Sequence, residues 1–360
     1  MLKIHTFELR KIVCTNDEFT QIRYNLKDVG HRYRRTETSQ TDIYYLEKGV
    51  VVFLIRCRYA SNIIIMQITP QKVLNEEQES CLLELNEKKF MKCLESVGKA
   101  LKKNQIRLTE FRISRIDFTQ DIRFEKSEII DIYIRLLNKA GAPYRYGYKK
   151  YKDTKYKDSY EITNGFHSIA VYNKEQESKQ RNKRGMAMNG IMRTEVRMSD
   201  TGERKGLFLA ETLEFDKIIA MRENADNILK YVFTEGFYIK LEKTKTILYK
   251  EYCSKNTMKR RKNKLEKMIE LSETVAIHRS AYDCIRGTNA VYSHETVKDI
   301  IGQFEKERIN LIAISAKEHI SVLPDMKYIL GIKTENEVEK DNQFLTKNNL
   351  MNKIPKFDVL

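Results

Sequence analysis

Two stretches of the chain alternate between apolar and polar residues, and this alternation limits what the chain can fold into. The longer is RLTEFRISRIDFTQDI over residues 107–122, and the shorter is IMRTEVRM over residues 191–198. Successive side chains of a strand point to opposite faces of a sheet. Each stretch therefore predicts a strand with one apolar face, which helices can cover, and one charged face.

The neighbouring segments predict a mixture of strands and helices. DIYYLEKGVVVFLIRCRY is typical of a hairpin that turns at Gly49, and SNIIIMQITP of a strand ended by Pro70. A helical stripe follows with Asn86 as a candidate N-cap, and SEIIDIYIRLLNKAGAP predicts a helix that Ser127 caps and Gly141 ends. Strands and helices do not alternate regularly, so we expect an α+β fold with a largely antiparallel sheet flanked by helices.

The pattern becomes mainly helical after about residue 200, and three regions are predicted. Residues 1–250 form the expected catalytic domain, and residues 251–335 a mainly helical region for DNA binding or oligomerisation. Residues 336–360 form a polar tail that we expect to be loose.

Cysteine usage and hydropathy point to a cytoplasmic protein. The six cysteines form no CxxC pair, which argues against a zinc ribbon and fits reduced thiols. The longest apolar runs are far shorter than the ~20 residues of a membrane span. The N-terminus has no apolar stretch typical of a secretory signal.

The charge balance favours a polyanionic partner. The chain has 66 Lys and Arg against 50 Asp and Glu, a formal net charge of +16. Basic side chains release counterions from a phosphate backbone, so nucleic acid is the first candidate. The alternative is an unspecialised basic protein from an AT-rich genome.

The charged face of the two alternating strands is the first candidate site. Strand parity places Asp117, Asp121 and Glu195 on it, together with Arg115 and Arg193. Acids are disfavoured inside strands, and such departures tend to mark functional sites. The carboxylates suit Mg²⁺ or Mn²⁺. The alternative is a solvated face of cross-strand Arg–carboxylate pairs.

A tyrosine at the end of another strand is the second candidate. In HSIAVYNKEQE, residues 167–177, Tyr172 shares a face with Ser168 and Ala170. A free phenol, with a pKa of about 10, is a poor nucleophile at neutral pH. Lys174, Arg193 and a metal would favour the phenolate. The alternative is an ordinary aromatic residue that closes a strand.

Basic and aromatic segments form the third candidate. YRYGYKKYKDTKYKDSY, residues 144–160, interleaves tyrosines with cations, a combination suited to single strands. HRYRR (residues 31–35), KQRNKR (179–184) and KRRKNK (259–264) are further basic tracts. Each of these segments has a second reading, as an exposed hairpin or a solvated face. The predicted DNA contacts are Arg115, Arg145, Tyr146, Tyr148, Lys149, Lys150, Lys152, Arg181, Lys183, Arg184, Lys259, Arg260 and Arg261.

Three of these segments, SRIDFTQDI, IAVYNKEQE and MRTEVRM, together resemble the Rep_trans (replication initiation factor) family. That family has an R-[IL]-D strand with a second acid four residues on, an [IV]-Y-[ND]-K-x-x-E segment and an R-x-E strand. The resemblance covers roughly residues 40–200 and implies a sheet fold related to the HUH nucleases, although the two-histidine HUH string is absent. It makes Tyr172 the nucleophile, Asp117 and Glu195 metal-site residues, and Asp121 the second acid.

The resemblance implies a rolling-circle replication initiator, most simply of a plasmid. Such an enzyme nicks one DNA strand at a specific site and transfers it through a 5′-phosphotyrosine, with a divalent metal. Its expected partners are origin DNA, exposed as a single strand or hairpin beside duplex, a host helicase and polymerase, and a second copy of the chain. The alternatives are a conjugative relaxase with the same chemistry and a non-catalytic nucleic-acid-binding protein.

Overall fold

The computed structural model shows an α+β protein built around one large antiparallel sheet, which confirms the predicted fold class. It describes residues 2–58, 61–75, 82, 84, 86–143, 145–148, 159–180, 189–199, 213–253, 265–273 and 294–360. None of the described helices is long and apolar enough to span a lipid bilayer.

Among the described residues the main sheet has eleven strands, in the order β2-β3-β4-β5-β1-β6-β10-β9-β8-β7, and β13 pairs with β6 beside β1. β11 and β12 pair with each other in a second, small sheet. The strands are β1 (Lys3–Val13), β2 (His31–Arg35), β3 (Ser39–Glu47), β4 (Val50–Cys57), β5 (Asn62–Ile68), β6 (Arg112–Phe124), β7 (Gly147–Tyr148), β8 (Ser159–Thr163), β9 (His167–Asn173), β10 (Ile191–Ser199), β11 (Tyr238–Ile239), β12 (Val322–Leu323) and β13 (Phe357–Val359).

Helices cover one side of the sheet and make up most of the described residues beyond β10. Residues 265–273 are also helical, and 3-10 turns lie at Leu108–Glu110 and Met351–Lys353. The helices are α1 (Asn16–Asn25), α2 (Pro70–Val73), α3 (Glu87–Lys103), α4 (Glu128–Ala140), α5 (Lys174–Gln180), α6 (Phe215–Val232), α7 (Leu241–Cys253), α8 (His294–Lys306), α9 (Met326–Ile329) and α10 (Glu335–Lys347).

Local signals set most of these boundaries as predicted. The side chain of Asn86 accepts a hydrogen bond from the backbone N–H of Lys89 and caps α3. Gly141 ends α4 with φ +85°, and Gly49 makes the β3–β4 turn with φ +88°. The predicted cap at Ser127 is wrong: within the described chain its side chain makes no capping bond, because its backbone is already helical.

Several strands were not predicted from the sequence patterns, and one of them, β1, is at the centre of the sheet. β1 lies between β5 and β6, and pairs with both along most of its length. A register shift near His5 interrupts its pairing with β6. Through β1, the β2–β5 half of the sheet is joined to the strands that carry the candidate site.

The side of the sheet that faces the helices is the apolar core. Ile116 and Phe118 on β6 and Val196 on β10 are buried there, in one cluster with residues of α3, α4 and α6. The same core continues into the helical region and includes Leu345 of α10. The opposite side of β6 and β10 carries the charged residues.

The C-terminal residues are ordered rather than loose, so that expectation is wrong. Thr334 and Glu337 form a reciprocal capping box that starts α10. Leu345 and Leu350 are buried, and β13 pairs with residues Ile122–Phe124 of β6. The predicted boundary at residue 250 falls inside α7. The sequence did not predict these features because the segment is mostly polar and only a few of its leucines are buried.

Candidate active site

Tyr172 and Glu195 meet on the charged side of the sheet. Tyr172 is near the end of β9 and pairs with Arg193 of the adjacent β10, while Glu195 pairs with Ala170. The half-buried phenol donates a 2.8 Å hydrogen bond from its hydroxyl to Oε1 of Glu195. A strand tyrosine and a strand acid, separated by 23 positions in the chain, thus form one polar unit.

Glu195 is the centre of this unit. Its Oε1 lies 3.6 Å from Nδ1 of His5 on β1, and its Oε2 lies 3.8 Å from Nη2 of Arg197. Burial, followed by the positive charge of Arg193, lowers the pKa of His5 to about 3. The imidazole is therefore neutral at physiological pH and offers a nitrogen lone pair to the site.

The phenol of Tyr172 is protonated in this environment. Burial raises its pKa well above 10, the negative charge of Glu195 raises it further, and Arg193 opposes these effects only in part. Lys174 lies 5.7 Å from the centre of the tyrosine ring and forms a buried ion pair with Glu177. Its own pKa is lowered, first by burial and then by Arg193. We expected the cations to lower the pKa of Tyr172 and favour the phenolate. Among the described residues they do not offset burial and Glu195, and the pKa stays raised.

Asp117 is held by arginines. Arg115 donates two hydrogen bonds to it, of 2.8 and 2.6 Å, and a third of 2.8 Å to Glu8 on β1. Nε of Arg197 lies 3.3 Å from Asp117. Arg197 thus lies between Asp117 and Glu195, the two acids assigned to the metal site, and its side chain is partly exposed.

Asp121 and Arg193 form a separate buried pair. Arg193 donates two hydrogen bonds of 2.6 Å to the two oxygens of Asp121, and the exposed fractions of these residues are 1% and 0%. Burial disfavours the guanidinium charge, but the hydrogen bonds from Arg193 to Asp121 outweigh it and raise the pKa of Arg193. Arg193 is the direct cross-strand partner of Tyr172, so this buried pair lies next to the tyrosine on the same side of the sheet.

The acids therefore do not fit a preformed three-ligand metal site. Among the described residues, no group of three or more His, Cys, Asp or Glu side chains has a geometry that could hold an ion. Arg193 donates to both oxygens of Asp121, and Arg115 donates to both oxygens of Asp117. The cross-strand ion pairs that the sequence allowed as an alternative are thus present. Mg²⁺ or Mn²⁺ binding stays a prediction.

One unsatisfied buried atom lies beside Glu195. Oγ1 of Thr119 is fully buried and finds no hydrogen-bond partner in the described part of the chain. Thr119 pairs with Glu195 on β10 and with Lys3 on β1. Nε of Arg197 is likewise buried without a hydrogen-bond partner in the described part of the chain, and a polar group desolvated without a partner costs free energy.

Three of the predicted DNA contacts, Arg115, Arg145 and Tyr146, have described side chains. Arg115 is engaged by Asp117 and Glu8, and Arg145 is exposed with φ +73°. Tyr146 is buried beside Tyr231, with 6.4 Å between ring centres, so the prediction that it stacks on a base is wrong. Tyr148 is in β7, but its side chain is not among the described ones. Lys149, Lys150, Lys152, Arg181, Lys183, Arg184, Lys259, Arg260 and Arg261 lie outside the described residues.

Three residues of the site were not among the predicted ones. His5 and Glu8 come from β1, and Arg197 from β10. The alternation FELR in β1 was a usable strand signal, and Arg197 shares strand parity with Glu195. What no local pattern gives is that β1 lies next to β6, because that pairing joins distant parts of the chain.

Comparison with known proteins adds no family to this picture. No protein-family model matches the chain, and no curated protein is significantly similar to it. The likeness to replication initiators rests on the three segments named above, and the site geometry is the independent basis for a function.

Proposed function

We propose that this protein is a DNA-nicking and strand-transfer enzyme in which Tyr172 is the nucleophile and Glu195 its general base. The observation that carries the proposal is the 2.8 Å hydrogen bond from the Tyr172 hydroxyl to Glu195 on the charged side of the sheet. A relationship of this sheet to the HUH nucleases, and a role in starting rolling-circle replication from origin DNA, belong to the same proposal.

The reaction is a transesterification. The oxygen of Tyr172 attacks a backbone phosphorus, a bond forms between them, and the bond from phosphorus to the 3′ oxygen breaks. Glu195 takes up the phenolic proton, and the departing 3′ oxygen takes a proton from solvent water to become a hydroxyl. The product is a 5′-phosphotyrosine with a free 3′-OH. Because one phosphodiester bond has replaced another, the strand can be rejoined without ATP.

The raised pKa of Tyr172 makes the base essential to this mechanism. Because burial and Glu195 keep the phenol protonated, free phenolate is scarce at neutral pH, and the proton must leave during the attack. A general base has to lie within hydrogen-bonding distance of that proton. Glu195 meets this requirement.

Cations beside the reacting pair can stabilise the phosphate. The guanidinium of Arg197 lies within 4 Å of both Asp117 and Glu195 and is partly exposed. It can therefore turn from these carboxylates to a bound phosphate, where negative charge builds up in the transition state. Lys174 lies beside the Tyr172 ring but is buried with Glu177, so it supports the site electrostatically.

Supercoiled DNA provides the test. The protein is incubated with a supercoiled plasmid carrying the DNA that flanks its gene, with Mg²⁺ or Mn²⁺ and with EDTA. We expect relaxed product and a covalent protein–DNA adduct for the wild type, and neither for Tyr172→Phe. The matched control is Tyr249→Phe, an exposed tyrosine on α7. Undiminished nicking by Tyr172→Phe would refute the assignment, and nicking in EDTA would refute the metal.

A further inference from the structure

The β3–β5 part of the sheet carries a second surface, on the side away from the helices. Residues on alternate positions of these strands, such as Val52, Leu54 and Ile64, are buried in the core. Their neighbours point the other way, are half-exposed or exposed, and are absent from the described core. We call these neighbours the open face: Ile43, Tyr45, Val51, Phe53, Ile55, Ile63 and Ile65.

The open face lies on the same side of the sheet as Tyr172. Directly paired residues of antiparallel strands project to one side. Arg115 pairs with Glu8, Glu8 with Gln67, Gln67 with Val51, and Val51 with Tyr45. One row of cross-strand neighbours therefore connects the site to the open face. From β9 to β2 there are seven strand spacings, or roughly 34 Å at about 4.8 Å each.

Arginines border the open face at both ends. Arg32 and Arg34 on the edge strand β2 pair with Ile43 and Thr41, and Arg10 on β1 pairs with Ile65. The guanidinium of Arg32 lies 5.9 Å from the ring centre of Tyr45. Tyr45 is 47% exposed. No acid occupies the open-face positions of the described strands β2 to β5, and Glu8, on the same side of β1, is engaged by Arg115.

We infer that the open face binds single-stranded DNA, with bases on Tyr45 and Phe53 and phosphates on Arg32 and Arg34. Unpaired bases offer flat apolar surfaces that can stack on the aromatic side chains, and the DNA backbone offers negative charge that can pair with the arginines. Duplex DNA hides its bases and matches only the arginines. A second copy of the chain, docked face to face, would bring arginine borders together and cost electrostatic repulsion.

The position of this surface gives it a role, which rests on the proposed function. A strand held on the open face runs towards Tyr172 along the same side of the sheet. The open face would then hold unpaired nucleotides several positions from the scissile phosphate. It would act by binding, without touching the reacting atoms.

Fluorescence anisotropy with an oligonucleotide of about 15 thymidines, a length used by single-strand grooves, tests the inference. We expect Tyr45→Ala to weaken binding about tenfold, and Arg32→Ala with Arg34→Ala to weaken it further and reduce its salt dependence. Tyr45→Phe keeps the ring and should bind like the wild type. The matched control is Tyr33→Ala, since Tyr33 is 55% exposed and has the opposite strand parity to Arg32 and Arg34.

The outcomes distinguish this inference from the proposed function. Wild-type affinity in Tyr45→Ala and in the double arginine variant, or preference for duplex over single strand, would overturn the open-face inference alone. A change from dimer to monomer in these variants, at unchanged DNA affinity, would make the face a dimer contact and also overturn it. If instead single-strand binding depends on Tyr45 while nicking does not need Tyr172, only the nicking proposal fails.

Discussion

Replacing Glu195 with glutamine separates two roles that the site allows for this carboxylate. As a general base, Glu195 takes the proton of Tyr172 over a 2.8 Å hydrogen bond. As a nearby negative charge, it raises the pKa of Tyr172, second only to burial among the causes. Glutamine keeps the shape of the side chain but neither accepts a proton nor carries a charge.

The two roles predict opposite changes in rate. Loss of a general base typically slows a reaction by about 10² to 10⁴, which is about 3 to 5 kcal/mol in the activation free energy. Loss of the negative charge alone would lower the pKa of Tyr172 and increase the phenolate fraction, so nicking would become faster. We expect the slower rate together with a lowered pKa of Tyr172.

Single-turnover cleavage of an oligonucleotide carrying the nick site gives the rate of the chemical step. The pKa of Tyr172 is measured by NMR of ring-labelled tyrosine, with Tyr172→Phe to assign the signal. Glu128→Gln, an exposed acid on α4, is the control for a lost charge elsewhere. A Glu195→Gln rate within tenfold of the wild type, or above it, would refute the general-base role.

Three further predictions concern stability, measured by denaturant unfolding. Asp121→Ala leaves the buried guanidinium of Arg193 without its bidentate partner, which should cost about 3 to 5 kcal/mol; the double variant Asp121→Leu with Arg193→Met should recover most of this, and an equally unstable double variant would contradict it. The folded-state pKa of His5 is lowered from 6.5 to about 3, so its contribution to the free energy of unfolding is complete above pH 6.5. As the pH drops towards 3, the unfolded chain takes up a proton at His5 that the folded chain does not, and the free energy of unfolding falls by up to about 1.4 kcal/mol per pH unit. His5→Gln should flatten this pH dependence, and an unchanged slope would refute it. Thr334→Ala removes the capping box with Glu337 and should cost about 1 kcal/mol, whereas no loss would mean that α10 is held by its tertiary contacts alone.

Local sequence patterns determined several of the elements and the faces of β6 and β10. The period of two in β6 and β10 placed Asp117, Glu195 and Arg193 on one side, as the structure shows. Asn86 and Gly141 set helix ends as predicted. These features follow from interactions within a few residues, so they can be found without knowing the rest of the fold.

Pairing between distant segments decided the composition of the candidate site. β1 brings His5 to within 3.6 Å of Glu195 and Glu8 to Arg115, although its neighbours β5 and β6 come much later in the chain. The choice of arginine partner for each acid likewise depends on cross-strand register. A polar C-terminal segment became a helix and a strand because surfaces formed elsewhere could pack against it.

The sequence by itself thus determined which side chains face the charged side of the sheet, and only the tertiary structure decided which of them touch. Strand parity is fixed by the backbone of each strand alone. Neighbouring strands are selected by burial of the whole apolar face and by backbone hydrogen bonds between remote segments. Contacts such as that of Tyr172 with Glu195 exist only once that selection is complete.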